Sequence, residues 1–103
     1  MTFTPEQLRR FAEAGGWTFN EKASNYQWTF DNYQYKRLPD FPNDLAACFD
    51  VLECFCGKDY DYIVSRNYCD IVSGFDSHSI ADGHGSDPRQ AIIAAVLAAK
   101  EKP

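Results

Sequence analysis

Apolar residues recur at two different periods along this 103-residue chain, and the switches between them lay out its elements. Thr4-Pro5-Glu6-Gln7 opens a first helix: Thr4 is a natural N-cap, Pro5 suits the first helical position, and Gln7 closes a capping box. Leu8, Phe11 and Ala12 then fall on one face, and Gly15-Gly16 stops the helix. A helix this short draws its stability from packing rather than propensity. Trp17 to Phe19 reads as a short strand. Tyr26, Trp28 and Phe30 alternate with Gln27 and Thr29, the pattern of a half-buried strand. Asp31-Asn32 supplies a tight turn, since both residues tolerate a left-handed backbone. Tyr33 and Tyr35 alternate with Gln34 and Lys36 on the return strand, giving a β-hairpin with an aromatic face.

The period then changes to helical. Leu45, Cys48, Phe49, Leu52, Phe55 and Cys56 recur at three- and four-residue steps, predicting an amphipathic helix from about Asn43 to Cys56. Pro39, Asp40 and Pro42 fix its entry and Gly57 ends it. Two strands follow: Tyr60, Tyr62 and Val64 alternate with Asp61, Ile63 and Ser65, and after a turn at Arg66-Asn67, Cys69, Ile71 and Ser73 alternate with Asp70 and Val72. Because Ile63 and Val72 are apolar on the second face, the pattern predicts a sheet covered on both faces. Phe75 to Gly85 reads as an irregular, polar, histidine-bearing loop. Asp87-Pro88-Arg89-Gln90 opens the last helix, where Ile92, Ile93, Val96 and Leu97 with nearby alanines run on towards Lys102. With no repeat, linker or low-complexity segment, residues 1–103 form one domain. The class is α+β: a single-domain α–β–α sandwich with three helices and an antiparallel sheet of about four strands, in the order α-β-β-α-β-β-α.

Two segments carry a family resemblance. Leu38 to Cys56, LPDFPNDLAACFDVLECFC, and the C-terminal run Ser86 to Lys102 resemble the W…LPDY-x-NDL-like and AI-x-x-A-x-L-x-A-like stretches of the phage ABA sandwich family. These are small proteins carried by bacteriophages and prophages. The resemblance spans most of the chain, and its motifs are structural rather than catalytic.

Composition narrows the function classes. Sixteen aromatic residues give a small domain enough to bury. A net charge of -5 opposes binding to nucleic-acid polymers, which need a basic surface to displace counterions, while it suits a basic protein partner. It does not exclude a small anion held by a local cluster of donors. The chain shows neither a membrane-spanning apolar run nor a signal-peptide pattern, so a cytoplasmic location is expected. In that setting Cys48, Cys54, Cys56 and Cys69 are expected to be free thiols used in packing, with no metal site, because zinc needs four convergent ligands at recognisable spacing.

Three features bear on chemistry. Gly83-His84-Gly85-Ser86 leads into a helix N-terminus, where free N–H groups favour an anion and Arg89 can add a charge-assisted contact; the bland alternative is a turning loop capped by Asp87. His78 and His84 with Asp76 and Asp82 are metal-ligating types, but nothing in their spacing requires convergence. Aromatics beyond the needs of a core, Trp28, Tyr33, Tyr35, Tyr60 and Tyr62, stand near the donor pairs Lys36-Arg37 and Arg66-Asn67 at hairpin or strand ends. They serve equally as cross-strand packing. The ligand-binding set is therefore Trp28, Tyr35, Arg37, Tyr60, Tyr62, Arg66, Asn67, His84, Ser86 and Arg89, with no catalytic residue, metal or cofactor.

No nucleophile, base or metal site with mutual support is visible, so the expected class is binding rather than catalysis. By analogy with small phage proteins, two forms arise. One is a sponge that sequesters a host immune cyclic-nucleotide signal without cleaving it, in a homo-oligomer built on the alanine-rich helix or the aromatic hairpins. The alternative is an acidic protein–protein inhibitor of a host defence complex, comparable to anti-CRISPR proteins, using Asp31, Asp40, Asp44, Asp50, Glu53, Asp59 and Asp61.

Overall fold

A computed structural model describes residues 2–101 as three α-helices, a 3-10 turn and six strands. Helix α1 is Pro5–Ala14, strands β1, β2 and β3 are Thr18–Phe19, Trp28–Phe30 and Tyr33–Tyr35, and α2 is Leu45–Cys56. Strands β4, β5 and β6 are Tyr60–Ser65, Tyr68–Ser73 and Ser79–His84, and α3 is Pro88–Glu101. Lys102, where the sequence pattern ends the last helix, lies outside the described residues.

The α+β class and the order of helices follow the sequence, but the strand count does not. Instead of one sheet of about four strands there are two antiparallel three-stranded sheets, β1-β2-β3 and β4-β5-β6. Two strands exceed the four: one is the short strand expected over Trp17 to Phe19, present as Thr18–Phe19 and paired with Thr29 and Trp28. The other is β6, inside the segment read as a loop. Ser79 to His84 has Ile80 as its one strand-favouring residue, yet it pairs with β5 from Tyr68↔His84 to Ile71↔Ala81, with a slip at Ile71/Val72. Tertiary packing overrides weak propensity here: Gly83 faces α3 so closely that a Cβ on it would meet Ala95 N at 2.3 Å and Ala91 O at 2.4 Å.

Local signals account for the element ends. The Thr4 backbone N–H donates to Gln7 Oε1 at 2.8 Å and Gln7 N–H donates to Thr4 Oγ1 at 3.1 Å, completing the capping box. Asp31 and Asn32 both take positive φ, 50° and 69°, as a two-residue hairpin requires. A 3-10 turn over Phe41–Asn43 delays α2, which starts at Leu45 rather than Asn43. Asp44 caps it by accepting the Ala47 N–H at 3.0 Å.

Helices α2 and α3 cover one face of the second sheet. On it, Phe49 meets Tyr62 and Phe55 stacks on Tyr60, while Cys69, Ile71, Ala81 and Gly83 face α3. The opposite face behaves differently from expectation: Val72 is buried, but Ile63 is 58% exposed in a row with Asp70 and Asp82. Helix α1 packs against α2 and α3, and α3, apolar on nearly every side, is the centre of the core. The alanine-rich helix expected to serve oligomer contacts is thus consumed inside the single chain. The first sheet joins this core through Trp17, which stacks on Phe30 at 4.8 Å and meets Phe41 edge-on.

Candidate functional site

The ten sequence-selected residues fall into separate neighbourhoods. Trp28 is buried in β2, opposite Tyr35 and against Phe19 at 4.9 Å. Tyr60 and Tyr62 lie under α2, and the Tyr62 hydroxyl donates to Glu53 Oε1 at 3.2 Å. Desolvation, followed by that contact, raises the Tyr62 pKa. Arg37 is exposed after the first hairpin. Arg66, Asn67, His84 and Ser86 do share one end of the second sheet: Gly85 N–H donates to the Asn67 carbonyl at 3.1 Å, and Tyr68 pairs with and packs on His84.

The anion-binding expectation at α3 meets an internal competitor. Asp87 Oδ1 accepts the Arg89 backbone N–H at 2.9 Å and the Gln90 N–H at 3.2 Å, and the Arg89 guanidinium reaches the same carboxylate at 3.3 and 3.4 Å. The Arg89 side chain, then the Gln90 N–H, hold the Asp87 carboxyl below the usual carboxylate range. Ser86 is also engaged, donating from its N–H and hydroxyl to Gln90 Oε1, each at 3.0 Å. The donors that would greet a phosphate already serve a carboxylate. His84 is a strand residue rather than a loop residue, its Nε2 lying 3.1 Å from Asp82 Oδ2, and His78 is likewise tied to Asp76.

Cys48, Cys56 and Cys69 are buried, and burial pushes their pKa values up to about 12, 11 and 12. Cys48 donates to the Phe41 carbonyl. Among the described residues no three His, Cys, Asp or Glu side chains group so as to hold a metal ion, and no helix is long and apolar enough to cross a membrane.

What the fold does build is a groove between the first sheet and α2. One lobe, of about 250 Å³, has an aromatic wall of Trp17, Phe30 and Tyr35 and a helical wall bearing Asp44 and Asp50 over Ala46 and Ala47. The adjoining lobe, of about 460 Å³, shares Phe30 and Asp50 and adds Asp31, Glu53 and Cys54. Tyr35 leans on Trp17 at 5.1 Å and remains 39% exposed. No basic residue lines either lobe. Asp31 and Asp50 have no hydrogen-bond or ion-pair partner among the described residues, whereas Asp44 caps α2 and Glu53 accepts from Tyr62. Trp17 Nε1 is buried and also unpartnered. A larger hollow, about 500 Å³ along α1, differs: its Arg9–Glu13 and Arg10–Glu6 charges are satisfied along the helix.

Of the sequence-selected set only Tyr35 lines the groove, although four of the seven acids singled out for a basic partner do: Asp31, Asp44, Asp50 and Glu53. Trp17 and Phe30 were visible only as strand residues, because nothing local in the sequence places a hairpin against a helix. Comparison with protein-family models, curated proteins and solved structures finds no match.

Proposed function

We propose that this protein is a phage anti-defence protein that acts by binding, not catalysis, and that it docks its acidic–aromatic groove on a basic surface of a host defence protein. The observation that carries this reading is the groove itself. Aromatic rings and unpaired carboxylates face each other there with no internal cation, on a chain of net charge -5. Interface hot spots are enriched in aromatic residues, and complementary charge steers a partner of opposite sign. The resemblance of LPDFPNDL and AIIAAVLAA to the phage ABA sandwich family supports the phage setting, and with it action in the cytoplasm of an infected bacterium.

A second reading, the cyclic-nucleotide sponge, is favoured by one observation: Arg66, Asn67, His84 and Ser86 meet at one end of the second sheet. Asp70, Asp82 and Asp87 stand in or beside the same neighbourhood and oppose an anion. With α3 buried, the hairpins remain of the two surfaces expected to build a homo-oligomer.

The two readings separate in a quantitative capture experiment. Immobilised wild type, an Asp44→Asn/Asp50→Asn variant and an Arg66→Ala/His84→Ala variant are each passed through bacterial lysate. A basic protein retained by the wild type and by the arginine–histidine variant, and lost from the aspartate variant, is the expected result. Retention indifferent to the aspartates, or an intact nucleotide released from the wild type and absent from the Arg66/His84 variant, would overturn the docking reading.

A further inference from the structure

The chain already contains one arginine seated on aromatic rings beside a carboxylate. Arg9 Cζ stands 4.7 Å over Phe19 and 5.5 Å over Trp28, while Arg9 Nε donates to Glu13 Oε1 at 3.0 Å. Those rings belong to the first sheet. The same sheet presents a second aromatic group, Phe30 and Tyr35 with Trp17 against them, and across the groove from it stand Asp44 and Asp50. Rings and carboxylates are repeated; the arginine is not.

We infer that the partner supplies that arginine, its guanidinium plane lying against Tyr35 and Phe30, the accessible rings that cover the buried Trp17, and its N–H groups donating to Asp50. This rests on the docking reading above and makes it chemically specific. A guanidinium is planar, weakly hydrated and shaped to stack on rings while forking onto a carboxylate; an ammonium is compact, strongly hydrated and gains less from a flat wall. Pro39, Ala46 and Ala47 complete the lining with apolar surface on which a flat group can pack. Asp50 has both carboxylate oxygens open, whereas Asp44 already holds the Ala47 N–H on Oδ1.

The test uses the ¹H–¹⁵N spectrum of the full chain, in which Trp17 and Trp28 each give an indole signal. Two peptides are titrated, Gly-Arg-Gly-Arg-Gly-Arg-Gly and its lysine counterpart. The arginine peptide is expected to move the Trp17 indole signal, leave that of Trp28 (already under Arg9) in place, and bind about fivefold tighter than the lysine peptide. Asp50→Asn, at an exposed position, is expected to weaken the arginine peptide by about fivefold or more. Equal movement of Trp17 by both peptides would overturn the arginine inference while leaving the docking reading intact. No movement of Trp17 with either peptide would overturn both.

Discussion

Gly83 shows how much one residue can settle. With no Cβ, it lets β6 lie against the backbone of α3, and any side chain there would strike Ala91 and Ala95. Because the obstacle is helix backbone, it cannot rotate away, so Gly83→Ala is expected to cost about 3 kcal/mol. For a domain of this size that lowers Tm by more than about 10 °C, whereas a melting temperature unchanged in calorimetry would mean that β6 does not pack as described. The cysteines make an equally local prediction. Cys54 alone is exposed, and the other three thiols are both buried and pushed to about 11 or 12. In native protein at about pH 8 a thiol reagent should titrate one cysteine rapidly, and all four only after unfolding. Asp87 sets the acid response. Its carboxyl is held low by Arg89 and by the α3 N–H groups, so its contribution to stability is present above the ordinary aspartate value of about 4 and is lost as pH falls through the depressed native value. Asp87→Asn keeps a capping side chain but loses the charge; thermal melts of this variant should fall less steeply below about pH 4 than those of the wild type.

Helix α2 combines a structural role with the proposed docking role, and substitution can separate the two. Asp44 caps the helix and also lines the groove. Asp44→Ala removes both roles and should cost about 1 kcal/mol in urea unfolding, whereas Asp44→Asn retains a good cap and should stay within a few tenths of the wild type. If the two variants unfold alike, the cap is not formed as described. The elements were unevenly legible in the sequence. The Thr4 capping box, the Asp31-Asn32 turn and the β4–β5 alternation rest on contacts within a few residues, so the pattern located them. Strand β6 was missed because Ser79, Asp82 and Gly83 carry no strand signal, and its place follows from α3, across the sheet. Part of the helical stripe was misjudged for a similar reason. Val51 is buried against Gly15 and Leu45 is 41% exposed, because α2 is packed by α1 on one side and by β4 on another.

At the scale of the whole molecule, the sequence conveyed the class, the order of helices and the presence of unusual aromatics and acids. It could not convey which of them meet. The selected donors and rings are scattered by the fold, with Arg89 bound to Asp87 and Trp28 covered by Arg9. Of the acids expected to meet a basic partner, Asp44 and Asp50 stand opposite the Trp17 wall, and Asp31 and Glu53 line the adjoining lobe. On that rearrangement rests our proposal of a cationic rather than an anionic ligand, and thermal denaturation of the wild type with each class of ligand decides between them. At about a hundred times its dissociation constant, a ligand of the folded state adds about 2.7 kcal/mol, enough to raise Tm by about 10 °C or more. The arginine peptide is expected to produce such a rise, and Asp50→Asn to diminish it, while linear and cyclic nucleotides leave Tm unchanged. A rise with a cyclic nucleotide, abolished by Arg66→Ala/His84→Ala and indifferent to Asp50→Asn, would contradict the groove as the working surface.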